Sequence, residues 1–393
     1  MSSSQVFFCP CPRGLEGVLA SELTALGADQ VHSRDSGVAF CGDFLLAMRI
    51  NLESRIASRL LWQVATGTYD SEQTLYERAA ELPWSEWFTV DDTLKIDTRA
   101  HHSPVRSLDF VTLRIKDAIC DHFRARTGQR PSIDTQQPGV RVHLFLDENQ
   151  FTLSLDTSGD ALFKRGERAA SGDAPLKKNL AAGLLALAEW RPGIPLLDAF
   201  CGSGTILLEA AEQSLQRAPG LHRSFAFERL LNWPVALHWP KVQREALNRA
   251  LPPAPLPLWG RDLKGDSLEQ TRLNFEAAGL SECVTLKQVN MLESLPPSPS
   301  GILLSNLPYG VRVGEQVELA EFYPLLGNVL KQRYTGWTAY FLTADLQLTK
   351  SLRLKVTRRT PLFNGALDCR LLRIPLVSGS NRTPPRVTED AVI

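Results

Sequence analysis

Leu196-Leu-Asp198-Ala-Phe200-Cys-Gly202-Ser-Gly204-Thr205 is the stretch on which the reading of this chain turns. An apolar run enters a glycine-bearing turn, and an amphipathic stretch from Thr205 to Gln216 leaves it, so the pattern predicts strand, turn and helix. Glycines at 202 and 204 let backbone come close to a ligand at the carboxyl edge of a sheet, where open α/β sheets bind. A turn without a ligand has the same local signature. A dinucleotide fingerprint needs a third glycine at 207, which is Leu here. Asp198 would repel a pyrophosphate and suits a ligand that carries positive charge.

Outward from this turn, strands alternate with helices, the mark of a parallel sheet. Ile194–Phe200, Leu258–Asp262, Val284–Val289, Gly301–Asn306 and Trp337–Thr343 are the expected strands, with Leu354–Thr357 and Cys369–Leu376 as a closing antiparallel pair. Pro-rich Leu251–Pro257 is a stiff connector. Ahead of residue 166 the pattern is α+β. Strands are expected at Val6–Phe8 and Val38–Phe40, and helices over Arg13–Gly27 and Phe44–Leu61. Next come a strand at Leu94–Thr98, a helix over Val111–Phe123, and a hairpin of Val140–Leu146 with Phe151–Asp156. The boundaries drawn are 1–62, 63–165, 166–378 and a tail at 379–393.

Composition narrows the class. With 393 residues, 44% hydrophobic and 22% charged, the chain can bury several cores and is not wholly disordered. Forty-three Lys+Arg balance forty-three Asp+Glu, which argues against a uniformly basic binder but permits local patches. No apolar run reaches the roughly 18 residues of a membrane span, and the first residues lack a signal-peptide pattern. Seven scattered cysteines fit reduced core thiols in a cytoplasmic protein, and no Cys or His set has metal spacing.

Three further positions follow the glycine turn along the sheet. Asp262 ends the second strand, where a carboxylate can accept from both ribose hydroxyls; a loop acid is the plainer alternative. Asn290-Met291 stands one βα unit later, where an adenine would meet an amide carbonyl and an apolar side chain. Asn306-Leu307-Pro308-Tyr309 follows the fourth strand. Pro308 biases Leu307 toward an extended conformation, so the Leu307 carbonyl and the Asn306 amide converge as two acceptors for an –NH2 group. Tyr309 offers a ring for a base to stack on. S-adenosylmethionine, with an ammonium, a sulfonium and no phosphate, is the donor that suits Asp198.

Asp198–Thr205 with Asn306–Gly310 resembles the class I amino-methyltransferases that modify exocyclic amines of nucleic-acid bases. Arg13-Gly-Leu-Glu16, Arg114–Ile119, Leu155-Asp-Thr-Ser-Gly159, Arg165-Gly-Glu-Arg168, Ala174-Pro-Leu-Lys177 and Leu362–Arg370 are similar to the THUMP-containing RNA guanine-N2 methyltransferases, bacterial 23S rRNA enzymes foremost. The resemblance implies an α/β fold: a Rossmann-like class I methyltransferase domain preceded by ferredoxin-like and THUMP units. It implies S-adenosylmethionine held by Asp198, Phe200, Gly202, Gly204, Thr205, Asp262, Asn290, Met291, Pro175 and Lys177, and catalysis at Asn306, Leu307, Pro308 and Tyr309. The implied reaction methylates the N2 amine of a guanine in 23S rRNA, with a tRNA guanine or a noncatalytic assembly role as alternatives. Two positions depart from the family pattern, Asn290 for Asp and Leu307 for Pro. Some relatives carry a second fused methyltransferase domain, which this sequence is too short to include.

Between Lys95 and Arg130 eight Lys/Arg face four Asp. Lys95, Arg99, Arg106, Arg114, Lys116 and Arg124 there, and Lys164, Arg165 and Arg168 at the junction, are candidate RNA contacts or a solvated surface.

Overall fold

The computed structural model describes residues 4–165, 176–308, 313–345 and 347–378, drawn from two compact units. The first takes residues 1–168, 176–187 and 212–253; the second takes 169–175, 188–211 and 254–393. No described helix is long and apolar enough to cross a membrane.

The first unit is built on one seven-stranded sheet. Its strands are β1 (Gln5–Pro10), β2 (Asp29–Arg34), β3 (Gly37–Gly42), β4 (Leu61–Thr68), β5 (Leu94–His101), β6 (Val140–Asp147) and β7 (Gln150–Asp156). They lie in the order β2-β3-β1-β4-β7-β6-β5. β4 is the seam, since Trp62 and Leu61 pair with Phe7 and Phe8 of β1 while β4 also runs antiparallel to β7. The helix expected to reach Leu61 therefore stops early, at Glu53. Glu22 explains the stop: its carboxylate accepts from Ser54 Oγ at 2.6 Å and from the Arg55 amide at 2.8 Å, drawing the chain out of the helix.

The helix Leu108–Thr127 buries Val111, Ile115, Ala118, Ile119 and Phe123, the face its periodicity predicts. Ser107 caps its start and Gly128, at φ +76°, its end. It covers the side of β5 that carries Leu94 and Ile96, with Thr98 and Thr112 hydroxyls 2.6 Å apart. Lys95, Asp97 and Arg99 project from the opposite side. The β6–β7 hairpin turns on Glu148-Asn149 alone, because Asp147 already pairs with Gln150.

Two segments after residue 166 also pack in this unit, cutting across the linear 166–378 boundary. Trp233 stacks on Phe44 at 4.6 Å and on Phe227 at 5.3 Å, and meets Trp62 edge-on. Aromatic burial ties residues 212–253 here. Leu155–Gly159 is a structural knot. Asp156, buried, pairs with Arg59 and accepts from the Ser158 amide at 2.8 Å, while Ser158 Oγ donates to Asn51 at 2.6 Å.

The second unit holds β8 (Leu196–Asp198), β9 (Leu258–Asp262), β10 (Thr285–Gln288), β11 (Gly301–Asn306), β12 (Trp337–Thr343), β13 (Arg358–Asn364) and β14 (Leu367–Pro375). Their order is β10-β9-β8-β11-β12-β14-β13; the first five are parallel, and β14 runs antiparallel to both its neighbours. The closing pair is real, but its first strand begins at Arg358, after the expected Leu354–Thr357. Pro361 hid it. An edge strand tolerates a residue without an N–H, and β13 is the edge. The order reverses between β8 and β11, and the carboxyl ends at such a reversal are where open α/β sheets bind ligands.

Candidate active site

β8 ends on Asp198, 2% exposed, and the chain turns through residues 199–204 into the helix Thr205–Ser214. The two glycines have different tasks. Gly204 sits at φ +73°, and a Cβ there would lie 2.5 Å from Thr271 Cγ2, so it admits the helix Gly265–Ala277 against the turn. Gly202, at φ +53°, has nothing within 4 Å of where its Cβ would be, so its backbone faces open space. Thr271 Oγ1 donates to the Gly202 carbonyl at 2.7 Å and Asn274 Nδ2 to the Ser203 carbonyl at 2.9 Å. Sequence reading missed both of these supports. They are polar residues on a helix whose periodicity alone gives them no role.

Asp262 ends β9 and reaches the same turn. Its two carboxylate oxygens accept from the Gly202 amide and the Lys264 amide, each at 3.0 Å. It therefore shapes the glycine turn, and each oxygen keeps a lone pair that a hydroxyl donor could use. Ser305, unrecognised from sequence, is fully buried and joins β11 to β8: its Oγ donates to Asp198 Oδ1 at 2.7 Å and accepts from the Ala199 amide at 2.9 Å. Burial pushes the Asp198 carboxyl up to about 7, and the charge of Asp262 adds to the rise. Ser305 and the Phe200 amide pull the other way without cancelling it. Among the described residues no cation pairs with this buried carboxyl.

β11 ends on Asn306, whose Oδ1 is buried with no hydrogen-bond partner among the described residues. Leu307 is fully buried and its amide donates to the Leu342 carbonyl at 3.0 Å, which anchors the loop by side chain and backbone together. Pro308 is exposed, and its carbonyl accepts from the Tyr323 hydroxyl. Phe200 lies edge-on to Phe322, ring centres 6.0 Å apart. Thr205 opens its helix, 7% exposed. Asn290 Oδ1 caps a short turn by accepting from the Leu292 amide at 3.0 Å. Met291 corrects an expectation: it is 3% exposed and its sulfur receives the Tyr334 hydroxyl, so it is core and offers no face to a base.

In the first unit, Lys177 lies over the Phe163 ring at 5.1 Å. Arg165 is also corrected, being 3% exposed with its guanidinium donating to the Arg55 carbonyl; it is a structural residue, not surface for RNA. Arg114 lies over Tyr76 at 4.3 Å, while Lys116 and Arg124 pair with Asp117 and Asp121, both at 2.8 Å. Lys95 pairs with Asp97 and Lys164 with Asp160; Arg99 and Arg106 are exposed. Arg168, Pro175 and Tyr309 lie outside the described residues.

Three family models match the chain. An RlmL ferredoxin-like domain covers residues 6–61, a THUMP domain 69–156, and an RMKL-like methyltransferase domain 165–373. A Synechocystis protein named as a candidate RNA methyltransferase is 38% identical, over 95% of this chain and 98% of its own length. Ribosomal RNA large subunit methyltransferase K/L of Aeromonas hydrophila is 37% identical over 98% of this chain, which spans only 56% of that relative. Among solved structures, a candidate methyltransferase crystallised with S-adenosylhomocysteine superposes with a TM-score of 0.85 at 27% identity, over 95% of this chain and 99% of its own. With the RMKL-like model spanning over half its residues and a full-length relative at 38% identity, the chain belongs to the RMKL-like methyltransferase family, with a ferredoxin-like and a THUMP domain ahead of the methyltransferase domain.

Proposed function

We propose that this chain transfers a methyl group from S-adenosylmethionine to the exocyclic N2 amine of a guanine in large-subunit rRNA, in the cytoplasm. One observation carries the reading. Asn306 Oδ1 is a buried acceptor without a partner among the described residues, at the carboxyl end of β11. Leaving such an atom unpaired costs on the order of 1–3 kcal/mol, so it is held ready for a donor that arrives with the substrate. An –NH2 group is such a donor. The Leu307 carbonyl, with no bond among the described residues, is the second acceptor.

The residues present also fit the methyl donor. The open space before Gly202, the buried Asp198 carboxyl and the spare lone pairs of Asp262 suit backbone approach, an ammonium and a ribose in turn. Bound there, S-adenosylmethionine supplies a methyl group on a positively charged sulfur. Asn306 and Leu307 hold both amine hydrogens, which tilts the nitrogen lone pair out of conjugation with the ring and toward the methyl carbon. The amine nitrogen so presented would take the methyl from the bound donor, which would leave as S-adenosylhomocysteine, and the spare proton would pass to solvent. Such positioning needs no strong base. A ribosomal substrate is supported by the K/L relatives, and RNA as its class by the THUMP match.

Methyl transfer from labelled donor to total RNA, resolved by size and digested to nucleosides, tests this. Label in the large rRNA as N2-methylguanosine is the expected result. Label in tRNA would move the substrate to tRNA, label on another atom would overturn the chemistry, and none would mean a noncatalytic RNA binder.

A further inference from the structure

We propose that the helix-free face of the first unit's sheet is a stacking platform for an unpaired base of the RNA, with Phe145 as the stacking ring and Arg99 as its cationic flank. This rests on the RNA substrate proposed above. In β6 the residues Val140, Val142, Leu144 and Leu146 are buried, and Arg141, His143 and Phe145 alternate onto the other face. Phe145 remains 46% exposed in an inner strand, apolar surface that the unit leaves uncovered. Directly across lie Arg99 on β5 and Thr152 on β7.

The charge on this face is complementary to a phosphate backbone. Lys95 and Arg141 pair with Asp97 at 3.4 and 2.8 Å, and Arg141 and Arg59 with Asp156, so three cations meet two anions there. Arg99 is exposed and has no ion pair among the described residues. On the helix side, by contrast, Lys116 and Arg124 are each matched by an aspartate. Cations beside an exposed ring are the combination that binds single strands, the ring taking a base face and the cations the phosphates. A duplex hides its base faces, so the platform selects unpaired RNA.

Fluorescence anisotropy with a short single-stranded RNA, and with the same sequence as a duplex, tests this on the full chain. Phe145→Ala and Phe145→Leu should each weaken single-strand binding by about tenfold or more, Phe145→Trp should restore it, and duplex binding should not change. Because the ring is exposed, Phe145→Leu keeps the fold, which a melting curve verifies. Single-strand binding by Phe145→Leu equal to the native chain's would overturn the platform, even if N2-methylguanosine were found in rRNA. Absence of RNA binding by the native chain would remove the functional reading with it.

Discussion

Inner strands of the two seven-stranded sheets differ in how they are buried. β11 and β12 of the second unit are buried at most positions, whereas β6 of the first alternates buried residues with the half-buried Arg141 and His143 and the exposed Phe145. A sheet closed on both faces can offer chemistry only at its strand ends, and Asp198, Asp262 and Asn306 are all such ends. A sheet closed on one face can offer the other as surface. The second unit is thus built for small, buried, directional contacts, and the first for a broad and charged one.

Substitutions in the closed sheet should therefore be severe and local. Gly204→Val places a branched side chain at φ +73° against Thr271 and should abolish measurable donor binding. Calorimetry that still detects binding would show that the turn adapts. Asp262→Ala should raise the dissociation constant for S-adenosylmethionine about tenfold or more, because charge-assisted bonds of roughly 1.5–3 kcal/mol are lost. Asp262→Asn, which keeps one acceptor for the turn, should fall between Ala and the native chain.

A smaller effect comes from Asp198. Its carboxyl titrates near 7 in the folded chain, pushed up by burial, so below that pH the site lacks the anion a cationic donor requires. Donor affinity should rise about tenfold between pH 6 and pH 8. Subtracting the profile of Asp198→Asn removes the ligand's own titration, and a flat difference would contradict the role of Asp198. Stability runs the other way. A carboxyl raised above its unfolded value stabilises the ligand-free fold at low pH, and that contribution is lost as pH rises from about 4 through about 7. Ser305→Ala should shift the affinity midpoint upward by removing the bond that favours the ionised form.

Legibility followed the same division. β9, β11 and β12 have the bounds expected of them, and β11 and β12 are mostly apolar because strands buried on both faces admit few polar residues. β2, with the sequence Asp-Gln-Val-His-Ser-Arg and largely exposed, carries no such mark. β4 was masked by the preceding helical pattern, because its departure from helix depends on Glu22, thirty-two residues before Ser54. At the site, glycines and strand-end acids announced themselves by type and spacing. Ser305 and Thr271 did not, because their work is a hydrogen bond between distant segments. Met291 misled for the opposite reason, having the right type and position but a side chain turned into the core.

The most direct test of the account is single-turnover methyl transfer by Asn306→Ala on the native RNA, with donor and RNA dissociation constants measured alongside. One acceptor for the amine is removed while neither the glycine turn nor the basic sheet face is touched. Transfer should slow by on the order of 10²–10³, with both constants within about threefold of native. Near-native transfer would mean that the amine is held elsewhere, and the assignment of the strand-end acceptor would fail.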